Sequence, residues 1–203
     1  MKIFDCIVEN FYHFPMLKFS NKCRCLIAII LSARERDKKI LHIINSFFSD
    51  IDSFKDILLI GKQGLISKIK TVNFFNRKAT LIFNLAEKIV YKFHNKIPLQ
   101  YKELLLLPGI GRKTALVFLN YFSSDYLGIA VDTHVHRIIS RFSNNFRLKM
   151  SEIENICFDN TSFKYIDKIS YSLIEFGRIV CKIKPNCFKC IININCLYGE
   201  KTN

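Results

Sequence analysis

Apolar residues recur at intervals of three and four along most of this chain, and that spacing decides what it can fold into. Leu26, Ile27, Ile29, Ile30 and Leu31 open one run. Ile40, Leu41, Ile43, Ile44, Phe47 and Phe48 form a second, and Leu81, Ile82, Leu85, Ala86, Ile89, Val90 and Phe93 a third. Val117, Leu119 and Phe122 belong to a fourth, and Ile169, Leu173, Ile174 and Phe176 to a fifth. A period near 3.6 gathers each set on one helix face, where it can be buried. Alternating strands joined by Asn-Gly or Asp-Gly turns are missing. The expectation is an all-α protein of about ten helices. The 203 residues include only 7 Gly and 4 Pro, so the joints are few. Pro15 closes the N-terminal segment, Gly61 and Gly64 separate two short helices, and Pro98 ends the third run. Gly128 divides the fourth run from a helix starting near Asp132. No linker rich in Gly, Pro or Ser interrupts the chain.

Lys and Arg number 31 against 17 Asp and Glu, a formal charge of +14. A compact protein this basic is expected to sit on a polyanion. Heavy use of Lys, Ile, Asn and Phe, as in an AT-rich genome, is the other source of that charge. The longest uninterrupted apolar run, Cys25 to Leu31, is too short to span a bilayer. The opening MKIFDCIVENFYHF carries acids early and shows no signal-peptide cleavage site. The expectation from these features is a soluble intracellular protein whose polyanion is DNA, RNA or an anionic membrane surface.

The sharpest segment is Leu105 to Ala115, LLLPGIGRKTA. A short helix from Tyr101 to Leu106 runs into Pro-Gly-Ile-Gly, and a second helix follows from about Arg112 to Tyr121. Gly109 and Gly111 allow a backbone to approach a ligand closely and to take positive φ. The N–H groups and positive dipole end of the second helix then face outward, a combination that binds phosphate. Arg112 and Lys113 stand at that helix start. A lysine in water has a pKa of about 10.4 and is a poor nucleophile at neutral pH. A helix N-terminus and partial burial both disfavour its charged form, so Lys113 is a candidate Schiff-base nucleophile, with phosphate binding as the other use of such a lysine. Downstream, Asp132 in AVDTHVHR opens a helix and suits an N-cap. His134 and His136 read as structural histidines.

Eight cysteines occur. Cys6, Cys23, Cys25 and Cys157 are scattered and read as buried thiols; Cys23-x-Cys25 alone is a weak metal signal. Cys181, Cys187, Cys190 and Cys196 cluster within sixteen residues. In a cytosolic protein such a group signals metal, and four thiolates suit zinc or an iron–sulfur cluster; spacing alone leaves the choice open and favours zinc by frequency.

Four segments in order carry a family resemblance. LPGIGRKTA followed by AVDTHVHR resembles the helix-hairpin-helix DNA glycosylases and, within them, the endonuclease III family. Leu31 to Asp37, LSARERD, resembles the family's LSAQATD; Thr71 to Ala79, TVNFFNRKA, resembles TIGLYNSKA; FGRIVC and the three following cysteines resemble its C-terminal cluster. The likeness spans about residues 20 to 196. It implies the all-α helix-hairpin-helix glycosylase fold, with a six-helix barrel lobe over residues 15–125. A second helical lobe would combine residues 1–14 with 126–203 and carry an iron–sulfur cluster loop. The active cleft would lie between them.

The resemblance implies a bifunctional glycosylase and abasic-site lyase, acting as a monomer on double-stranded DNA in the nucleoid-associated cytoplasm. Its substrates would be oxidised pyrimidines and abasic sites. Lys113 would be the nucleophile and Asp132 the catalytic carboxylate. Gly109, Gly111, Arg112 and Lys189 would contact DNA, Lys189 through the cysteine loop beside Lys182 and Lys184. Arg34 and the Asn73-Phe74-Phe75-Asn76 loop fall where the family fills the gap left by a flipped nucleotide; the alternative for Phe74 and Phe75 is the core. Arg77 and Lys78 would touch phosphates or lie on a solvated face, and Ser32 and Asp37 would brace the pocket. Cys181, Cys187, Cys190 and Cys196 would hold a 4Fe-4S cluster, although the first gap here has five residues where the family's C-x6-C-x2-C-x5-C has six. Competing readings are a monofunctional mismatch glycosylase, against which Lys113 argues, and a catalytically silent DNA-binding module. A zinc-dependent transcription or RNA factor explains the cysteines and charge but not LPGIGRK or VDTH.

Overall fold

The computed structural model describes residues 1–12, 19–35, 37–122 and 128–199, without the side chains of 37–39. Pro15, the Asp37 side chain and the expected lobe boundaries at 15 and 125–126 lie outside them. Ten α-helices occur among the described residues: α1 (Asp5–Phe11), α2 (Lys22–Ser32), α3 (Asp37–Phe47), α4 (Phe54–Ile69), α5 (Phe75–Glu87), α6 (Tyr101–Leu104), α7 (Arg112–Phe122), α8 (Thr133–Phe142), α9 (Met150–Asn160) and α10 (Ile169–Ile179). The all-α expectation holds, and no helix among the described residues is long and apolar enough to cross a membrane. The chain divides into two compact units, Leu17–Asp125 and Met1–Met16 with Tyr126–Asn203.

The Leu17–Asp125 unit contains α2 to α7. Its core joins Leu26, Ile27 and Leu31 of α2 to Phe47 of α3, Ile57 and Leu65 of α4, Leu85 of α5 and Phe118 of α7, all essentially inaccessible to solvent. Leu26, Ile27, Leu31, Phe47 and Leu85 belong to the three-and-four pattern; Ile57, Leu65 and Phe118 join them. Asn21 caps α2, its Oδ1 accepting from the Cys23 and Arg24 N–H groups at 2.8 and 3.1 Å. Ser53 and Asp56 form a reciprocal capping box on α4. Gly61, at φ 66° and ψ 175°, breaks α4 without a loop, so the expected separation is a kink; Gly64 is helical. The third apolar run stops before Pro98. α5 widens into a π turn over Lys88–Lys92, and the left-handed residues His94 and Asn95 then turn the chain. Lys88 Nζ donates to the Leu106 carbonyl at 2.7 Å, tying that turn to the segment after α6.

The other unit packs α1, α8, α9 and α10 around Phe4, Ile7, Val135, Ile139, Ile153, Leu173 and Phe176. Buried Asp5 joins the N-terminal helix to the distant loop after α9, accepting from the Ser162 N–H at 2.8 Å and its hydroxyl at 2.6 Å. Close approach of α10 to α8 requires Gly177: an added Cβ would stand 3.1 Å from His134 and Ile138 side-chain atoms.

Candidate functional site

The hairpin is built as its glycines suggest, but the two glycines do different work. Leu104, Leu107 and Ile110 are buried and anchor the turn. Gly109 takes φ 77°, and a Cβ there would already be in contact with Leu81 of α5. Gly111 has no such constraint: an added Cβ would meet nothing within 4 Å. The Gly111 carbonyl accepts the Ala115 N–H at 2.9 Å, so it opens α7. Gly109, Gly111, Arg112 and Lys113 are all exposed, with Lys113 on the first turn of α7. The partial burial expected for Lys113 is therefore absent. Because the fold leaves room at Gly111, a methyl there would obstruct only something approaching from outside. Gly111→Ala is expected to leave the unfolding midpoint unchanged and weaken DNA affinity by roughly tenfold, about 1.4 kcal/mol. Gly109→Ala, strained at positive φ, should instead lower stability by about 1 kcal/mol. Equal stability losses for the two would remove the ligand-approach reading.

Asp132 is the N-cap of α8. Its Oδ1 accepts from the His134 and Val135 N–H groups at 2.8 and 2.9 Å. The His134 pKa is lowered by burial, against the opposing pull of Asp132. His134 Nδ1 lies 3.1 Å from Arg137 Nη2, a donor, which suits a neutral ring accepting there. His136 Nδ1 pairs with Ser140 Oγ at 3.3 Å. Both histidines are thus engaged within the helix.

Two distant turns meet. Arg34 and Phe74 both adopt left-handed backbone, φ 60° and 57°. The Arg34 guanidinium lies 5.5 Å from the Phe74 ring centroid. Phe74 is 58% exposed, whereas Phe75 packs on the core, so the two aromatics part company. Arg77 is exposed. Lys78 corrects its expected role: it is 6% exposed, and Nζ donates to the Leu31 and Ala33 carbonyls at 2.7 Å each, with Glu35 Oε1 at 3.8 Å. Placed there, it satisfies the orphan carbonyls at the end of α2 and does not present its charge to a phosphate. Ser32 donates to the Ile29 carbonyl of its own helix at 2.8 Å.

The four C-terminal cysteines line one small pocket, walled by Ile138, Phe142, Phe176, Val180 and Ile192. Among the described residues, no three His, Cys, Asp or Glu side chains converge as a set that could hold a single metal ion. Burial raises the Cys181 thiol pKa, with Arg141 acting the other way. Cys190 is pushed up to about 11 by burial and by its neighbouring thiols. As thiols these groups hold their protons, so metal binding there must release them. Two residues that the motif reading passed over organise the loop. Arg141 Nη1 stands 3.6 Å from Cys181 Sγ and donates to the Lys182 carbonyl, and Nη2 donates to Ile183 at 2.8 Å. Arg137 Nε donates to the Cys181 carbonyl at 3.1 Å and Nη2 to Gly177 at 2.9 Å. Their i, i+4 spacing on α8 was the available signal. Lys182, Lys184 and Lys189 are exposed around the loop.

A sequence model described as the HhH-GPD superfamily base excision DNA repair protein matches residues 27–162. Endonuclease III of Rickettsia felis is 34% identical over 183 residues, 90% of this chain and 85% of that protein. This chain belongs to the endonuclease III family. Its match to endonuclease III of Escherichia coli K12 is 30% over 188 residues, 92% of this chain and 89% of the relative. Among solved structures, a trapped covalent intermediate of endonuclease III with DNA superimposes with a TM-score of 0.87 at 27% identity, over 98% of this chain and 94% of that one. A thermostable thymine-DNA glycosylase, 23% identical with a TM-score of 0.86 over 98% of this chain and 96% of that one, shares the fold. As a family member the chain is a DNA glycosylase of base excision repair.

Proposed function

We propose that this endonuclease III family member removes oxidised pyrimidines from duplex DNA and cleaves the resulting abasic site, with Lys113 as nucleophile and Asp132 as catalytic carboxylate. The observation that carries the reading is an exposed lysine on the first turn of a helix that begins at a Pro-Gly-x-Gly turn. A nucleotide swung out of the duplex would present its sugar to Lys113. Attack of Nζ on C1′ forms an N–C bond as the glycosidic bond breaks and the base leaves with a proton. Ring opening gives a Schiff base, which acidifies the C2′ proton; its loss expels the 3′ phosphate by β-elimination, and water then releases Lys113. Asp132 would stabilise positive charge developing at C1′ and relay a proton. The exposed backbone at Gly109 and Gly111, with Arg112, would grip a phosphate, and Arg77 and Lys189 would add contacts whose sum makes binding fall with salt. The expected partner is double-stranded chromosomal DNA in the cytoplasm, met by a monomer.

Cys181, Cys187, Cys190 and Cys196 would hold a 4Fe-4S cluster, a reading supported by the four thiol donors that line one apolar-walled pocket. Bound there, the cluster would supply cross-links that order the basic loop. The test of the function is borohydride trapping on duplexes carrying thymine glycol or an abasic site, on protein first assayed for iron and labile sulfide. Adducts with both duplexes are expected. An adduct with the abasic duplex alone would reduce the chain to a lyase. Binding without either adduct would make it a DNA-binding module. Zinc in place of iron would remove the cluster.

A further inference from the structure

Four positions where this sequence departs from the resembling family segments touch one another in the folded chain. LSARERD has Arg34 and Glu35 where the family segment has Gln and Ala; TVNFFNRKA has Asn73 and Phe74 where it has Gly and Leu. The Asn73 side-chain amide donates to the Arg34 carbonyl at 3.0 Å. The Asn73 backbone N–H donates to Glu35 Oε1. The Glu35 side chain is fully buried, 3.8 Å from Lys78 Nζ, which is itself bonded to the carbonyls that end α2. Arg34 and Phe74, which flank these bonds, both adopt left-handed backbone, a state non-glycine residues keep only where their surroundings impose it. An exposed phenyl ring in that state with a guanidinium against it suits the gap-filling place that the resemblance gives these two turns.

We infer that Glu35 and Asn73 are positioning residues that lock Arg34 and Phe74 into a single pre-assembled wedge, which enters the duplex as the damaged nucleotide leaves. The inference rests on the glycosylase reading above. Two exposed side chains on separate turns would each lose freedom on insertion. A unit bonded through Asn73 and bolted to Glu35 has lost it beforehand, so more of the contact energy goes into unstacking. Phe74 supplies a face for the flanking base step, and Arg34 supplies donors to the unpaired base.

The test uses the full chain and a duplex with a tetrahydrofuran abasic analogue opposite 2-aminopurine. Anisotropy sets the protein concentration at which the duplex is saturated, and 2-aminopurine fluorescence at saturation then reports insertion apart from affinity. Wild-type protein should change that fluorescence strongly. Asn73→Gly, which removes an exposed amide and no core contact, and Glu35→Ala should bind but lose most of the change. Single-turnover release of thymine glycol should fall with it, by about tenfold or more. Glu35→Gln, which keeps the acceptor for Asn73, should retain both signals. Unchanged fluorescence and excision in Asn73→Gly and Glu35→Ala would overturn the lock, as would Glu35→Gln behaving like Glu35→Ala. If wild-type protein releases no base yet still changes the fluorescence, the glycosylase reading fails and the wedge stands.

Discussion

Replacing Lys113 by Gln will abolish the borohydride-trapped adduct and the accompanying strand break while leaving the complex with damaged duplex intact. The amide nitrogen of Gln has no basic lone pair with which to attack C1′. The loss should therefore reach the detection limit of the assay, on the order of a thousandfold or more. Lys113 is exposed, so removing its charge should move folding stability by no more than about 0.5 kcal/mol. Gly109, Gly111 and Arg112, which would grip a phosphate in the reading proposed above, stay in place. Gel analysis of the trapped adduct beside an anisotropy titration separates the two effects. An adduct of normal yield in the variant would assign the nucleophile to another amine.

The role proposed for Asp132 allows a clean dissection, because the residue's structural work is visible. One oxygen caps α8 through the His134 and Val135 N–H groups. Asparagine caps helices as well as aspartate does, and alanine does not. Asp132→Asn should therefore lose only the charge at the helix start, a few tenths to about 1 kcal/mol, while excision slows by about 10²–10³. Asp132→Ala should lose the cap as well, a further ~1 kcal/mol, with a similar rate defect. Urea unfolding and single-turnover excision on both variants give the comparison. Wild-type rates in Asp132→Asn would leave the residue a cap and nothing more.

What the residues announced and what they concealed differ in physical kind. Helix content, the hairpin and the Asp132 cap depend on neighbours within a few positions, so apolar spacing and Pro-Gly-x-Gly suffice to read them. Gly109 needs its positive φ for the turn itself, which is why it was legible. Phe74 and Arg34 adopt the same backbone state without being glycine, and no local preference announces that. Lys78 looked like any surface lysine of a basic protein; only the fold brings the carbonyls of Leu31 and Ala33, more than forty positions earlier, to its ammonium. Arg137 and Arg141 were hidden for the same reason, since their partners Cys181 to Ile183 follow some forty residues later. The four clustered cysteines were easy to find, but their spacing could not say that an apolar wall from α8 and α10 would enclose them.

α8 has a property that neither of its ends shows alone. It begins at the carboxylate of Asp132 and finishes, about 15 Å further on, in the arginine that grips the carbonyls after Cys181. The helix is thus a strut with the Asp132 carboxylate mounted on one end and the cysteine loop clamped to the other. If the cysteine loop lost its order the clamp would slacken, and the carboxylate would lose a fixed support. Disorder in the loop would in this way be felt at the far end of the helix by mechanics alone.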